Sequence, residues 1–387
     1  MVVLARGFRP FFLLAALQAA VFVPLWLLVL HGWIAAPMWN APMLWHAHEM
    51  LFGFGTAAIA GFLLTSVPVW TGTPAVAGPR LALLASLWVA GRAAMFAAGH
   101  APLLAAIVDV AFLPALAAAI GPAIYRSGVR RNFGFPLVLL ALAIANASLH
   151  AQALGLAPAL ATAGLRAGVD GIGLLIVVVG GRIVPAFTTN ALRRAGDEGE
   201  ARAPAWAERA AIPAYLLFAV ADVLAPGSPW SGAAACLAAG GRAARMSGWR
   251  SLRVLGDPLL GSLHLGHLWV VIGLACFAAS DLAAAWPRSI AVHALTTGAF
   301  GTMILAVMTR VSLGHTGRPL EAPRSAVVAY GLVTIGALLR TVGVAALPGA
   351  SLFLWTLAGV FWSGAFVAFL VGFGGMLLAP RVDGRPG

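Results

Sequence analysis

Long apolar runs broken by short polar turns make up almost the whole chain. Runs of ~20 apolar residues, the length that crosses a bilayer as a helix, recur from end to end, and strand-like alternation is absent. Because lipid leaves no backbone group unpaired, such runs must be helices. The pattern predicts twelve spans, near 11–30, 43–66, 80–99, 102–124, 133–154, 162–186, 206–225, 229–245, 258–282, 289–312, 324–346 and 350–379. The eighth is the least regular, since Gly240, Gly241, Arg242 and Arg245 crowd its end. The first, after Arg6 and Arg9, resembles a signal peptide, but its apolar part is too long for a usual signal core and is read as a helix.

One stretch is used twice. HEMLFGFGTAAIAGFLLTSVPVWTGTP, from His48, and HALTTGAFGTMILAVMTRVSLGHTGRP, from His293, align without a gap. They match at His48/His293, Gly53/Gly298, Thr71/Thr316, Gly72/Gly317 and Pro74/Pro319. RIVPAFT, Arg182 to Thr188, parallels Arg310 to Thr316 as a shorter third copy. Pro10, Pro136 and Pro258 fall near the first helix of each implied unit. The expected architecture is therefore an all-α polytopic membrane protein, one integral domain of three four-helix pseudo-repeats near 1–130, 131–257 and 258–387.

Composition agrees: 61% of the 387 residues are hydrophobic and only 9% charged, against about 25% charged in a soluble domain. The net charge of +12 comes from 24 basic residues, all of them arginine. Nucleic acid is not the implied partner, because the arginines sit in short loops between spans. Eighteen fall on the side of Arg6 and Arg9, and two, Arg166 and Arg288, on the other. This bias places both termini in the cytoplasm. Arg92, Arg182, Arg310 and Arg340 lie inside spans. Cys236 and Cys276 occupy separate runs, so neither a disulfide framework nor covalent haem attachment is implied.

An ionisable group inside a span is costly and marks binding or transfer. His46, His48, His150 and His293 fall in the periplasmic third, whereas His264, His267 and His315 fall in the cytoplasmic half. His31 and His100 are loop residues. In Trp45-His46-Ala47-His48-Glu49, residues 46 and 48 point about 200° apart on a helix, so one metal cannot take both without a break there. His48 and His293 hold the same place in two repeats, and two opposed imidazoles suit a six-coordinate haem iron; hydrogen bonding between helices is the plainer alternative. His264 and His267 share one face, with His315 as a third ligand for copper or zinc; separate polar contacts remain the other reading. Arg92 and Arg340 lie level with His48 and His293, where haem propionates need cations, although Asp109 or Asp170 are equally apt partners. Glu49 and Asp170 are candidates for a proton route. At 1.5 Å per residue the two histidine groups lie about 10–20 Å apart in depth, which favours two centres.

These stretches resemble the NnrS family of bacterial membrane proteins. The resemblance rests on Phe8-Arg9-Pro10-Phe11-Phe12, WHAHEMLFGFGTAAIAGFLLTSVPVWTG from Trp45, IANASLH ending at His150, GGRIVPAFT from Gly180 and HALTTGAFGTMILAVMTRVSLGHTGRPL from His293. It covers essentially the whole chain. It implies a cytoplasmic-membrane protein that binds non-covalent haem b and copper in denitrification or nitric-oxide stress. It makes His46, His48, His150, His264, His267, His293 and His315 metal-ligand candidates without saying which binds which metal. The plan of three groups of four is also similar to that of haem-copper oxidases and nitric oxide reductases. Here, however, Leu165 stands at the place matching His48, no paired histidines follow the sixth span, and only Tyr125, Tyr215 and Tyr330 are tyrosines.

Three functions follow as expectations. One is reduction of nitric oxide to nitrous oxide with quinol-derived electrons. A second is a haem or copper module that senses or buffers nitric oxide without turnover. The third is a membrane transporter.

Overall fold

The computed structural model describes residues 2–36 and 42–385. It is all-helical, with 81% of residues in helices and no strand among those described. Among the described residues, twelve helical rods follow one another: α1 (Phe8–Leu30), α2 (Pro42–Thr71), α3 (Pro79–Ala97), α4 (Pro102–Arg126), α5 (Gly134–Ala153), α6 (Pro158–Arg194), α7 (Ala205–Leu224), α8 (Pro229–Ser247), α9 (Pro258–Ala283), α10 (Arg288–His315), α11 (Arg324–Ala346) and α12 (Ser351–Leu378). Ten of them are long and apolar enough to cross a membrane. The other two are α7, which carries Glu208, Arg209 and Asp222, and α8, which is rich in glycine and holds Arg242 and Arg245.

The ends are set locally. Proline opens α3, α4, α8 and α9, where its missing N–H costs nothing. Ser228 and Asp257 cap α8 and α9 by accepting from the amides of Ser231 and Leu259. Gly72 ends α2 in the left-handed region at φ 66°, a conformation that favours glycine.

Three rods contain π-helical turns: Glu49–Gly55 in α2, Ala294–Phe300 in α10 and Leu339–Gly343 in α11. The first two begin immediately after His48 and His293, so the paired sequence segments share this local geometry as well as their residues. Such turns often occur at functional positions.

The chain groups into two compact units. The first comprises the chain up to Gly171, Met308–Leu320 and the chain from Phe369; the second comprises Ile172–Val307 and Glu321–Ala368. This grouping is spatial, while the three pseudo-repeats concern chain order. In the first unit the buried Arg9 guanidinium donates to the carbonyls of Leu377 and Ala379 at 2.8 and 2.7 Å, a cation at the negative end of α12. The Phe8 amide donates to Thr65 Oγ1 at 3.0 Å, tying α1 to α2.

Candidate metal centre

Four helices of the first unit bring six buried polar side chains together, and α1 adds a seventh, Gln18. His48 ends the first turns of α2 and is wholly enclosed, and Glu49 opens the π-helical turn. Arg92 comes from α3, Asp109 from the bend of α4 beside Ala111, and Asn146 and His150 from α5. Asn146 and His150 are four residues apart and so share a helix face. Gly91 lets α3 and α4 approach, since a Cβ there would stand 3.1 Å from Asp109 Oδ1 and 3.3 Å from its Cα.

The contacts form a closed network. His48 Nδ1 lies 3.0 Å from Glu49 Oε1. His48 Nε2 lies 3.1 Å from Asp109 Oδ2 and 3.0 Å from Asn146 Oδ1. His150 Nε2 lies 3.0 Å from the same Asp109 Oδ2, to which Asn146 Nδ2 donates at 2.7 Å. Arg92 donates to Glu49 Oε1 at 2.7 Å and pairs with Asp109 Oδ1. Gln18, on α1, donates to Glu49 Oε2 at 2.8 Å. Every carboxylate oxygen of the group therefore has a partner.

Charge and donor count point to a cation. With neutral imidazoles, Glu49 and Asp109 carry one negative charge more than Arg92 offsets. If His48 donates through Nδ1 to Glu49, its Nε2 lone pair faces two oxygens. That arrangement is repulsive unless a proton or a metal ion lies between them. Donor atoms of His48, Asp109 and His150 all lie within 4.8 Å of one another. Two imidazole nitrogens and a carboxylate oxygen form a set suited to copper, zinc or non-haem iron, and Glu49 would orient the His48 ring as an outer partner. The residues fit a metal ion.

The same geometry bears on haem. His48 Nε2 already faces Asp109 and Asn146, so an axial role at haem iron requires this network to open. Arg92 serves Glu49 and Asp109.

The remaining sequence candidates are placed as follows. His46 stacks on Trp26, with ring centroids 4.6 Å apart. Asp170 is buried on α6, two residues from Gly168, which abuts Leu51 and Phe52 of the π-helical turn. His315 belongs to the first unit, packs on Phe8 at 5.6 Å, and its carbonyl accepts from Arg381. His264 and His267 belong to the second unit. Both nitrogens of His264 meet hydroxyls, Thr188 Oγ1 at 2.8 Å and Ser251 Oγ at 2.9 Å, whereas the His267 ring packs on Trp249 at 4.9 Å. His293, also in the second unit, uses Nδ1 to donate to the Ser289 carbonyl at 2.7 Å. The Arg340 guanidinium lies 5.0 Å from the Trp355 ring. Asp109's central place, Asn146 and Gln18 escaped the sequence reading of the site. The available signal was polarity: Gln18 interrupts an apolar run, and Asn146 precedes His150 by one helical turn.

A model of the NnrS protein family matches residues 2–381. No curated protein matches the chain.

Proposed function

The chain belongs to the NnrS family, whose membrane proteins are linked to the nitric oxide response, and from that premise we propose that it handles nitric oxide through a transition-metal ion held by His48, Asp109 and His150. The observation that carries this reading is a wholly buried His–Asp–His set, with donor atoms within 4.8 Å and a surplus negative charge. Copper is the metal we propose for it, with haem b as a second cofactor. For haem, His293 and Arg340 are the candidates within the second unit. Ile290, three residues before His293, packs with Val344 and Leu354 in the cluster that Leu339 and Trp355 flank.

The chain's own residues perform three tasks. Glu49 orients His48, Arg92 holds Glu49 and Asp109 in place, and Asn146 fixes the Asp109 oxygen that both imidazoles face. A metal bound there supplies an open coordination position for a small neutral gas and a one-electron couple. Enclosure by apolar helices favours an uncharged diatomic ligand over hydrated ions. The arginine bias supports a bacterial cytoplasmic membrane with both termini inside.

Turnover is the further step of this reading. Two nitric oxide molecules, two electrons from a quinol and two protons give nitrous oxide and water, with Glu49 and Asp170 as proton carriers. Sensing or buffering of nitric oxide is the non-catalytic alternative, and transport is the third.

Purified protein distinguishes them. Metal analysis is expected to find one non-haem metal per chain, lost in His48→Ala, Asp109→Ala and His150→Ala. Anaerobic nitrous oxide production with a quinol donor would establish turnover; nitric oxide binding without it would leave a sensor or buffer. A metal-free protein that still protects cells would overturn both and favour the transporter.

A further inference from the structure

Where α8 packs on α9, the second unit buries two guanidiniums beside a single carboxylate, Glu208, that is itself half exposed. Arg242 and Arg245 on α8 and His267 on α9 are 0%, 3% and 0% exposed. Arg245 is satisfied: it pairs with both oxygens of Glu208, and its Nη2 donates to the Gly181 carbonyl at 2.9 Å. That pairing commits the carboxylate of Glu208. None of the three nitrogens of Arg242 has a hydrogen-bond partner among the described residues, and neither has either ring nitrogen of His267. The Leu263 carbonyl, one turn back, acts on the His267 ring without reaching hydrogen-bond geometry.

The ring of His267 is firmly placed. Trp249 packs on it at 4.9 Å, and a Cβ at Gly180 would stand 2.0 Å from its Cε1. Gly180 is therefore needed for α9 to approach α6 here. The Arg245 guanidinium lies over the same Trp249 ring, 5.8 Å from its centroid, and Arg242, three residues before it on α8, shares its helix face. Two guanidiniums against one carboxylate leave a single positive charge. A metal ion bound to His267 would face both guanidiniums, and their repulsion opposes it. An anion is drawn to the same place.

We propose that Arg242 and His267 form a binding site for a small planar monoanion, a carboxylate or a singly charged oxyanion. A guanidinium presents a planar fork of N–H donors that matches two oxygens of such a group, and a neutral imidazole adds one more donor. One negative charge balances the group, whereas a dianion would leave it unbalanced again. A buried guanidinium without a hydrogen-bond partner is costly, and a bound anion would supply that partner. The anion has two sources: a free solute, or the carboxylate arm of a larger cofactor.

The test uses full-length protein in detergent, dialysed free of small anions, with labelled formate and nitrate as probes and sulfate as the dianion control. Saturable binding of one formate or nitrate per chain is expected, with a thermal midpoint that rises with its concentration. Arg242→Gln should weaken binding by about tenfold or more and abolish that rise, while leaving the metal content at His48 unchanged. His267→Gln should weaken it less, and Arg242→Lys should keep part of it. In parallel, denatured wild-type protein is extracted for carboxylate-bearing compounds. A stoichiometric compound retained by wild type and absent from Arg242→Gln identifies the cofactor source and supports the site. Binding equal in wild type, Arg242→Gln and His267→Gln overturns the proposal, as does wild type that binds neither probe and retains no such compound. Should Arg242→Gln fail to fold, His267→Gln decides alone.

Discussion

The two buried polar groups of this molecule solve the same problem differently. Around His48, each carboxylate meets Arg92 and each imidazole meets a carboxylate, so the helices themselves supply nearly all the compensation. Around Arg242, Glu208 pairs with Arg245, and the Arg242 guanidinium has no hydrogen-bond partner among the described residues. Burying a charge without a partner costs several kcal/mol in a protein interior. The first group therefore reads as a site that lacks one cation, and the second as a site that lacks one anion. Charge balance, more than residue type, separates them: each group contains arginine, histidine and glutamate.

The largest effect is expected at the atom shared by both imidazoles. Asp109→Ala strips the common oxygen from His48, His150 and Asn146 and leaves half of Arg92 unpaired. Loss of a buried ion-pair partner costs about 3–5 kcal/mol, so the thermal midpoint should fall by many degrees and metal should disappear from purified protein. Retention of both stability and metal would contradict the network as described.

Glu49→Gln is milder. It keeps the shape and removes the charge that orients His48 Nδ1, so metal affinity should drop about 10- to 100-fold while the fold survives. Competition with a graded series of chelators measures the shift. The same substitution should leave formate binding at Arg242 untouched, which checks that the two groups act separately.

Gly91→Ala probes packing without touching charge. The added methyl falls 3.1 Å from Asp109 Oδ1 and 3.3 Å from its Cα, and overpacking of this kind costs about 1–3 kcal/mol. A modest fall in thermal midpoint with partial metal loss is expected.

The smallest effect belongs to a pair that joins the loop between α6 and α7 to the loop between α8 and α9. The Arg250 guanidinium, helped by the Gly199 amide, holds Asp197 below the usual carboxylate range. The folded value lies under the unfolded one, so the pair's contribution is present above the unfolded value, about 3.9, and fades as pH falls through the lower folded value. Asp197→Asn should therefore shift the midpoint slightly at neutral pH and not at all in strong acid. A shift as large as that of Asp109→Ala would erase the distinction between solvent-facing and enclosed pairs.

The helices were legible because their signal is local. The run expected at 258–282 is found as Pro258–Ala283, since apolar length and a proline at the first turn act within the segment. The all-helical membrane class follows from the same signal. The His48 group was legible only in pieces. Glu49, His48 and Arg92 stand out as polar residues in apolar runs, but nothing along the chain says that Asp109, 61 residues on, meets His48 Nε2. Likewise the His264–His267 spacing reports a common face, yet Thr188 and Ser251, from other segments, decide what His264 bonds. Tertiary partners of single polar atoms leave no periodicity to read. The π-helical turns also lack one, because a widened turn differs from an α-helix by a single residue.

That single residue carries a consequence for how α2 was assembled. Taking one residue out of Glu49–Gly55 would let the rod close into ordinary i to i+4 bonding, a cheap change for the backbone. It would also swing Thr56–Thr71 by about 100° relative to His48. Thr65 would turn away from the Phe8 amide it now receives. The wide turn thus works as a phase offset, dialling the buried half of the rod against its histidine.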